Sequence, residues 1–249
     1  MINIKSLQYH LAVPLHGIPL FTALWGFVLL EATANAALAG RTMRFRNFLV
    51  AFCHDTLAVV LPVILVWRNF GIAGGVNTPN ECILMNLSTG YLLADVTFWL
   101  AYGVCIQSFD TPQLTHHLLC LLGISSVWWS GRCASSMVLG SFLTHTSSPF
   151  GYVRFFMKEL GLRDSPLSVW CKHIYFWVKV VSILLISPIV VFYILQSDVH
   201  NVLFKMCSLG VLAVNLLWLY RVSLKYTVTA LHSWMYLKCE NHGSKIKQH

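Results

Sequence analysis

Seven side chains that titrate or carry charge fall inside stretches that are otherwise apolar: His54, Asp95, His116, His117, His145, Arg154 and Lys179. An ionisable group at bilayer depth costs several kcal/mol unless it faces a cavity or a partner, so such groups mark candidate functional positions. Helices rise ~1.5 Å per residue, and depth is counted here from the end of each apolar stretch that the charge distribution assigns to the cytosol. His54 then lies roughly 10 Å deep, Asp95 roughly 13 Å, His116 and His117 about 5 Å, and Lys179 about 12 Å. Arg154 lies near the same surface, with His145 two to three turns deeper. Five different stretches therefore offer a polar group to one half of the bilayer, whereas unrelated polar residues would scatter over both. The chemistry available is that of an imidazole acting as nucleophile or general base, tuned by a carboxylate such as Asp95 or Asp55, with cations at hand for an anionic group.

The adjacent pair His116-His117 carries a geometric constraint. Neighbours on a helix point about 100° apart, so one is expected to face the interior and the other a neighbouring helix. Two readings stand side by side: a reactive inward imidazole, or two hydrogen-bonding contacts between helices worth about 0.6 kcal/mol each. A di-iron site would need histidines at turn spacing, such as H-x-x-x-H and H-x-x-H-H boxes, to supply enough imidazoles. Those boxes are absent, and His10, His16, His200, His232, His242 and His249 are scattered near ends and loops, so no metal is expected. Asp55 reads as a buried partner of its neighbour His54, and Asp110 as a helix-start residue.

The elements that position these groups are membrane helices. Of 249 residues, 57% are hydrophobic and 10% charged, far from the roughly one quarter charged of soluble domains. A span needs about 20 mostly apolar residues. Seven stretches qualify, at 11–30, 48–67, 83–104, 113–129, 134–157, 171–195 and 202–220. A soluble second domain has no room. Ser147, Ser148, Pro149 and Gly151 interrupt the fifth, which predicts a bend there. Positive residues stay on the cytosolic side. Eleven of the 17 Lys and Arg fall on one side, from Arg41, Arg44 and Arg46 to Lys245 and Lys247, and only Lys5, Arg68, Arg132 and Lys205 fall on the other. The N-terminus is thus expected in the lumen and the C-terminus in the cytosol. The small residues Ala32-Thr33-Ala34-Asn35-Ala36 look like a cleavage site, but cleavage would invert every later loop, so the first stretch is read as a retained helix. The formal +8 charge suggests topology and anionic headgroups, not nucleic acid. Of eight cysteines, most lie inside or beside apolar stretches and read as packing residues, with only Cys82 and Cys133 placed where oxidation could join them. The sequon at Asn86 begins inside a span and reads as buried and unmodified.

From Phe48 to about Tyr226 the chain resembles the TLC domain, shared by ceramide synthases, translocating-chain-associating membrane protein and small lipid-regulating proteins. The resemblance rests on His54, on Gly90-Tyr91-x-x-x-Asp95, on His116-His117 and on Ser147-Ser148-Pro149-Phe150 with Arg154, in the family's order and spacing. The chain looks most like small TLC domain-containing proteins of the transmembrane protein 136 type, which share Asn77-Thr78-Pro79. Two departures stand out. His145 replaces the usual Glu four residues before the proline, and the aspartate-rich stretch of ceramide synthases is missing around Phe142 to Ser148.

The resemblance implies an all-α polytopic membrane protein of about seven spans, the second to seventh forming a ring around a cavity open to the cytosol. Residues 1–47 would hold a luminal N-terminus, the first span and a basic loop, 48–226 the TLC domain, and 227–249 a basic cytosolic tail. The implied function is lipid homeostasis in the endoplasmic reticulum, binding an acyl lipid or sphingolipid. His54, Tyr91, His145, Ser148, Pro149, Arg154 and Lys179 would line the cavity. The alternative is an acyl-CoA-dependent acyltransferase with His116, His117 and Asp95 in catalytic roles, acyl-CoA as co-substrate and no resident cofactor. A transport chaperone is a third reading. The final Lys245-Ile246-Lys247-Gln248-His249 resembles a K-x-K-x-x retrieval signal read by coat proteins, with a plain electrostatic anchor as the bland alternative.

Overall fold

In the computed structural model the described residues are 4–35, 38, 40–65, 75–107 and 111–246, with side chains described from Gly17 to Thr227 apart from Thr33 and Lys225. The retrieval-like pentapeptide extends beyond these residues. The described chain is almost wholly helical. It comprises α1 (Ile4–Ala34), α2 (Met43–Leu65), α3 (Pro79–Ile106), α4 (Thr111–Ser130), α5 (Ala134–His145), α6 (Ser148–Glu159) and α7 (Pro166–Val180), which a π-helical segment (Val181–Ile186) joins to α8 (Ser187–Gln196), and finally α9 (Val202–Ile246). An isolated bridge between Val76 and Arg132 is its trace of strand pairing.

Local chemistry sets these boundaries. At the start of α3 the Thr78 side chain accepts from the Glu81 N–H while Glu81 accepts the Thr78 N–H at 2.8 Å, with Pro79 opening the helix. Ser165 and Pro166 start α7 in the same way. The bend expected near Pro149 is present as a two-residue interruption: α5 ends at His145, Thr146 and Ser147 keep right-handed helical dihedrals outside the regular pairing, and Pro149 sits in the first turn of α6. Pro188 produces a second irregularity that the sequence reading did not flag. Its missing N–H and its ring disturb the preceding turn, which widens to i→i+5 pairing, and the Ser187 hydroxyl donates to the Ser182 carbonyl at 2.7 Å.

Among the described residues, four stretches are long and apolar enough to cross a membrane: Met43–Leu65, Pro79–Ile106, Pro166–Gln196 and Val202–Leu224. The other expected spans fall short for identifiable reasons. Within α1 the described apolar part is Gly17–Ala32. Gln113, His116, His117, Ser125 and Ser126 dilute α4, and the break leaves α5 and α6 with 12 residues each, about 18 Å of helix against a hydrocarbon core of about 30 Å. Outward faces carry large apolar side chains such as Val104, Trp170, Leu185 and Val202, as lipid contact requires.

Successive neighbours lie in contact: α2 with α3, α3 with α4, α4 with α9, α9 with α7, α7 with α6, and α6 with α2. The short α5 touches α2, α3, α4, α6 and α8, and α1 packs mainly on α3 and α2. The α1–α3 approach is close because Gly90 has no side chain. A Cβ there would come within 2.5 Å of the Phe21 backbone. Asn86, at the sequon, is buried against Gly17.

At the end of the bundle that holds Asn77, the side-chain oxygen Oδ1 of Asn77 accepts the Ala134 N–H at 2.9 Å, while Cys133 N–H donates to the Gly75 carbonyl at 3.0 Å. These bonds tie the approach to α3 onto the turn before α5. Cys82 and Cys133 are both free thiols.

Candidate functional site

Helical spacing brings the polar residues of α2 to one face. Asn47, Ala51 and Asp55 follow at four-residue intervals, so all three point the same way. Tyr91 and Asp95 on α3 and Gln113 and His117 on α4 repeat that spacing. These faces, with α5, α6, α7 and α9, enclose a polar chamber of about 450 Å³. His116, His117, Asp95, Tyr91, His145, Ser148, Arg154 and Lys179 all border it. Pro149 does not, and its part is to break the helix. His54 belongs to the chamber's wall, since it borders a second, apolar cavity of about 110 Å³ lined mainly by Leu, Met, Val and Ile side chains. Thr144 and His145 border both spaces.

Two histidine–carboxylate groups organise the wall. In the first, Asp55 Oδ1 lies 3.0 Å from His54 Nδ1 and 2.9 Å from His145 Nδ1. An ionised carboxylate only accepts, so both imidazoles then donate from Nδ1. His54 stacks on Tyr91 with ring centroids 3.8 Å apart and planes 10° apart, and Trp25 meets both rings edge-on. In the second group, Asp95 Oδ1 accepts from Asn47 Nδ2 at 3.0 Å, while Oδ2 lies 3.0 Å from His117 Nδ1. That last contact is an ion-pair distance without the alignment of a directed hydrogen bond. On its other side His117 Nε2 meets the Gln113 amide at 3.1 Å.

The expectation that one histidine of the adjacent pair turns away from the interior needs correcting. Both border the chamber, because it is wide enough to meet two rings whose centroids are 5.6 Å apart. They differ in their partners. His116 Nε2 lies 3.7 Å from Cys120 Sγ and its ring packs 5.2 Å from Trp218, while its Nδ1 is buried and unpartnered.

The lining is rich in cations. Arg44, Arg154, Lys179 and Arg221 border the same space as Asp55 and Asp95. The Lys179 ammonium sits 5.4 Å from the ring centres of both Tyr175 and Trp218, a cation–π cradle.

Several of these residues were not singled out as site residues from sequence. Asn47, Gln113, Tyr152, Tyr175 and Trp218 are common types whose role appears only once the helices are assembled. Sequence offers Asp55 as a partner of His54 or a carboxylate tuning an imidazole, but not its pairing with His145, which is 90 positions away. The only legible clue for the others was their spacing, Asn47 eight residues before Asp55 and Gln113 four before His117. His54, Asp55 and His145 also bring one ligand-type atom each to within 4.8 Å of one another, a set able to hold a metal ion.

Compared with known proteins, the chain is 28% identical over 130 residues to TLC domain-containing protein 1 of Homo sapiens, an alignment covering 50% of each chain. The chain thus spans about half the length of the curated relative it matches. No family model and no solved structure matches. The apolar helices support a multi-pass membrane protein, and the similarity over half the chain is to a TLC domain-containing protein.

Proposed function

We propose that this protein, as a small TLC protein of the transmembrane protein 136 type, holds an acyl lipid or sphingolipid within the bundle and thereby serves lipid homeostasis. The observation that supports this reading is the pairing of spaces: a cation-rich polar chamber adjoins an apolar cavity, with Thr144 and His145 bordering both. An amphiphile is the ligand that such a pair of spaces suits. Its headgroup lies among Arg44, Arg154, Lys179 and Arg221, and its chain runs past His145 among Leu84, Leu92 and Ile124. Seven crossings, with α2 to α9 ringed around α5, are the architecture proposed to carry it. The closed sequence of helix neighbours is what supports the ring.

The chamber lies at the end carrying Arg44 and Arg221, which the distribution of positive residues puts in the cytosol. The proposed location is the endoplasmic reticulum, with a luminal N-terminus and a tail presented to coat proteins. The test is native mass spectrometry of the detergent-purified protein with extraction of bound lipid. A stoichiometric lipid or sphingolipid is expected. Protein that carries no lipid and takes up none from mixed micelles would remove the reading.

A second reading, an acyltransferase of the ceramide-synthase type, is favoured by the His117 environment, in which the Gln113 amide meets Nε2 and the Asp95 carboxylate lies 3.0 Å from Nδ1. An imidazole oriented on one nitrogen beside a carboxylate is the arrangement a general base or acyl carrier requires. Incubation with acyl-CoA would then give free CoA and an acylated amine. Alanine at both His116 and His117 is expected to abolish that release, and undiminished release by the double variant would sink the mechanism.

A further inference from the structure

We propose that His54, Asp55 and His145 form a binding site for one divalent metal ion of the zinc class, set in the wall between the two cavities. The three ligand-type atoms, His54 Nδ1, Asp55 Oδ1 and His145 Nδ1, converge within 4.8 Å, with two of the separations at 3.0 and 2.9 Å. Tetrahedral zinc, with bonds of about 2.0–2.1 Å, places neighbouring ligand atoms roughly 3.3 Å apart. The two histidine–carboxylate separations need to widen by only a few tenths of an ångström, and the two imidazole nitrogens, which lie within 4.8 Å of each other, settle to the same spacing by side-chain rotation.

Two nitrogens and one carboxylate oxygen match the borderline character of zinc and its neighbours better than that of calcium or magnesium, which take oxygen ligands. Binding also balances chemically. Each neutral imidazole moves its proton from Nδ1 to Nε2 and offers Nδ1 to the metal, and Asp55 binds as the carboxylate. The ion displaces two hydrogen bonds and no proton has to leave.

The surroundings hold the ligands in place and leave one side open. Tyr91 stacks on His54 and Trp25 packs edge-on against it, which fixes the ring. Asp55 and His145 border the polar chamber, so a fourth position faces solvent or ligand there. Three protein ligands with an open fourth position is the arrangement of catalytic rather than structural zinc. Arg154 and Lys179 on the same chamber favour an anionic fourth ligand, such as a carboxylate or phosphate oxygen. Sequence alone hides the set, because two ligands are adjacent on α2 and the third ends α5.

The proposal stands apart from the lipid reading, because its readout is the metal itself. The full-length protein in detergent is stripped with a chelator, titrated with Co(II) and followed by visible absorption, with zinc competition and elemental analysis for stoichiometry. One equivalent is expected, with ligand-field bands of four-coordinate intensity that zinc abolishes. His145→Ala is expected to weaken binding by at least the roughly 10–100-fold that loss of an outer-shell partner causes, whereas His200→Gln, between α8 and α9 and outside the lining of both cavities, leaves it unchanged. Wild-type protein that takes up no Co(II) would overturn the site whether or not the variant folds. So would binding undiminished in His145→Ala, or a near-ultraviolet charge-transfer band showing that cysteine thiolates hold the ion instead.

Discussion

Asp95 offers the sharpest test of whether the chamber wall is a built network. It is 2% exposed and has two polar neighbours on two other helices, the Asn47 amide at 3.0 Å and His117 Nδ1 at 3.0 Å. Asp95→Leu keeps the branched shape and the number of side-chain heavy atoms and removes the acceptor. The Asn47 amide loses its partner and His117 its ion-pair neighbour, and a buried polar group left unsatisfied costs about 1–3 kcal/mol. The expected loss from the stranded Asn47 amide is therefore about 1–3 kcal/mol, a substantial share of a total stability of about 5–15 kcal/mol. Asp95→Asn keeps an acceptor for Asn47 and loses only the charge, so about 1–2 kcal/mol is expected, the difference between charge-assisted and neutral bonds.

Asn47→Leu alone strands one carboxylate oxygen, and combining it with Asp95→Leu removes both members of that bond. The double variant should then lose at least about 1 kcal/mol less than the sum of the singles. The assay is denaturant-driven unfolding in mixed micelles, with all four proteins compared in one detergent. Additivity within about 0.5 kcal/mol would show that Asn47 and Asp95 are neighbours without being coupled, and the network argument would fail.

Three further outcomes are expected. Gly90→Ala should lower stability by about 1–3 kcal/mol, because its Cβ meets Phe21 backbone at 2.5 Å, whereas Gly140→Ala, with nothing within 4 Å, should be neutral or stabilising; equal effects in thermal unfolding would contradict the close α1–α3 contact. His200 lies between α8 and α9, with Nε2 bonded to Ser136 Oγ at 3.0 Å, and burial, helped by nearby Lys205, holds its pKa below the usual imidazole value. The unfolded chain therefore binds more protons below about pH 6.5, so stability should fall as pH drops through that window, and His200→Gln should flatten the fall; an unchanged pH profile would refute the assignment. Replacing Lys245 and Lys247 by Ser should move the protein from the reticulum to the Golgi or cell surface, and fluorescence microscopy showing an unchanged distribution would leave the tail as an electrostatic anchor.

Periodicity and composition made the helices legible, and the intramembrane polar residues marked where to look. Depth along each helix could be counted from the sequence, and most of the residues at that shared depth do meet: His116, His117, Asp95, His145, Arg154 and Lys179 all border one chamber. Rotation about each helix axis could not be counted, since it depends on how neighbours pack. That is why His54 faces the apolar cavity instead, and why both members of the histidine pair reach the chamber. The break at Pro149 was legible because proline acts locally. The widened turn before Pro188 follows the same rule and could have been found by it. Asp55 was undervalued for a different reason: its second histidine comes from α5, and no local pattern joins positions 55 and 145.

The break between α5 and α6 connects the fold to the chemistry. Irregular backbone at membrane depth is tolerated only where it lines a cavity or is buried in protein, and the residues flanking this break, Thr144, His145, Ser148 and Gly151, all border the polar chamber. A continuous helix would turn His145 and Ser148 about one turn apart on the same rod. The break instead lets α5 stop with His145 beside Asp55, while α6 starts anew with Ser148 on the chamber. Meanwhile the chamber's carboxylates are both engaged, Asp55 by two histidines and Asp95 by Asn47 and His117. Among the described lining residues, the four cations Arg44, Arg154, Lys179 and Arg221 outnumber the two carboxylates. On the proposed lipid reading this excess of positive charge would favour an anionic headgroup over a neutral one, which makes negative charge, before chain length, the first property to vary when candidate amphiphiles are compared.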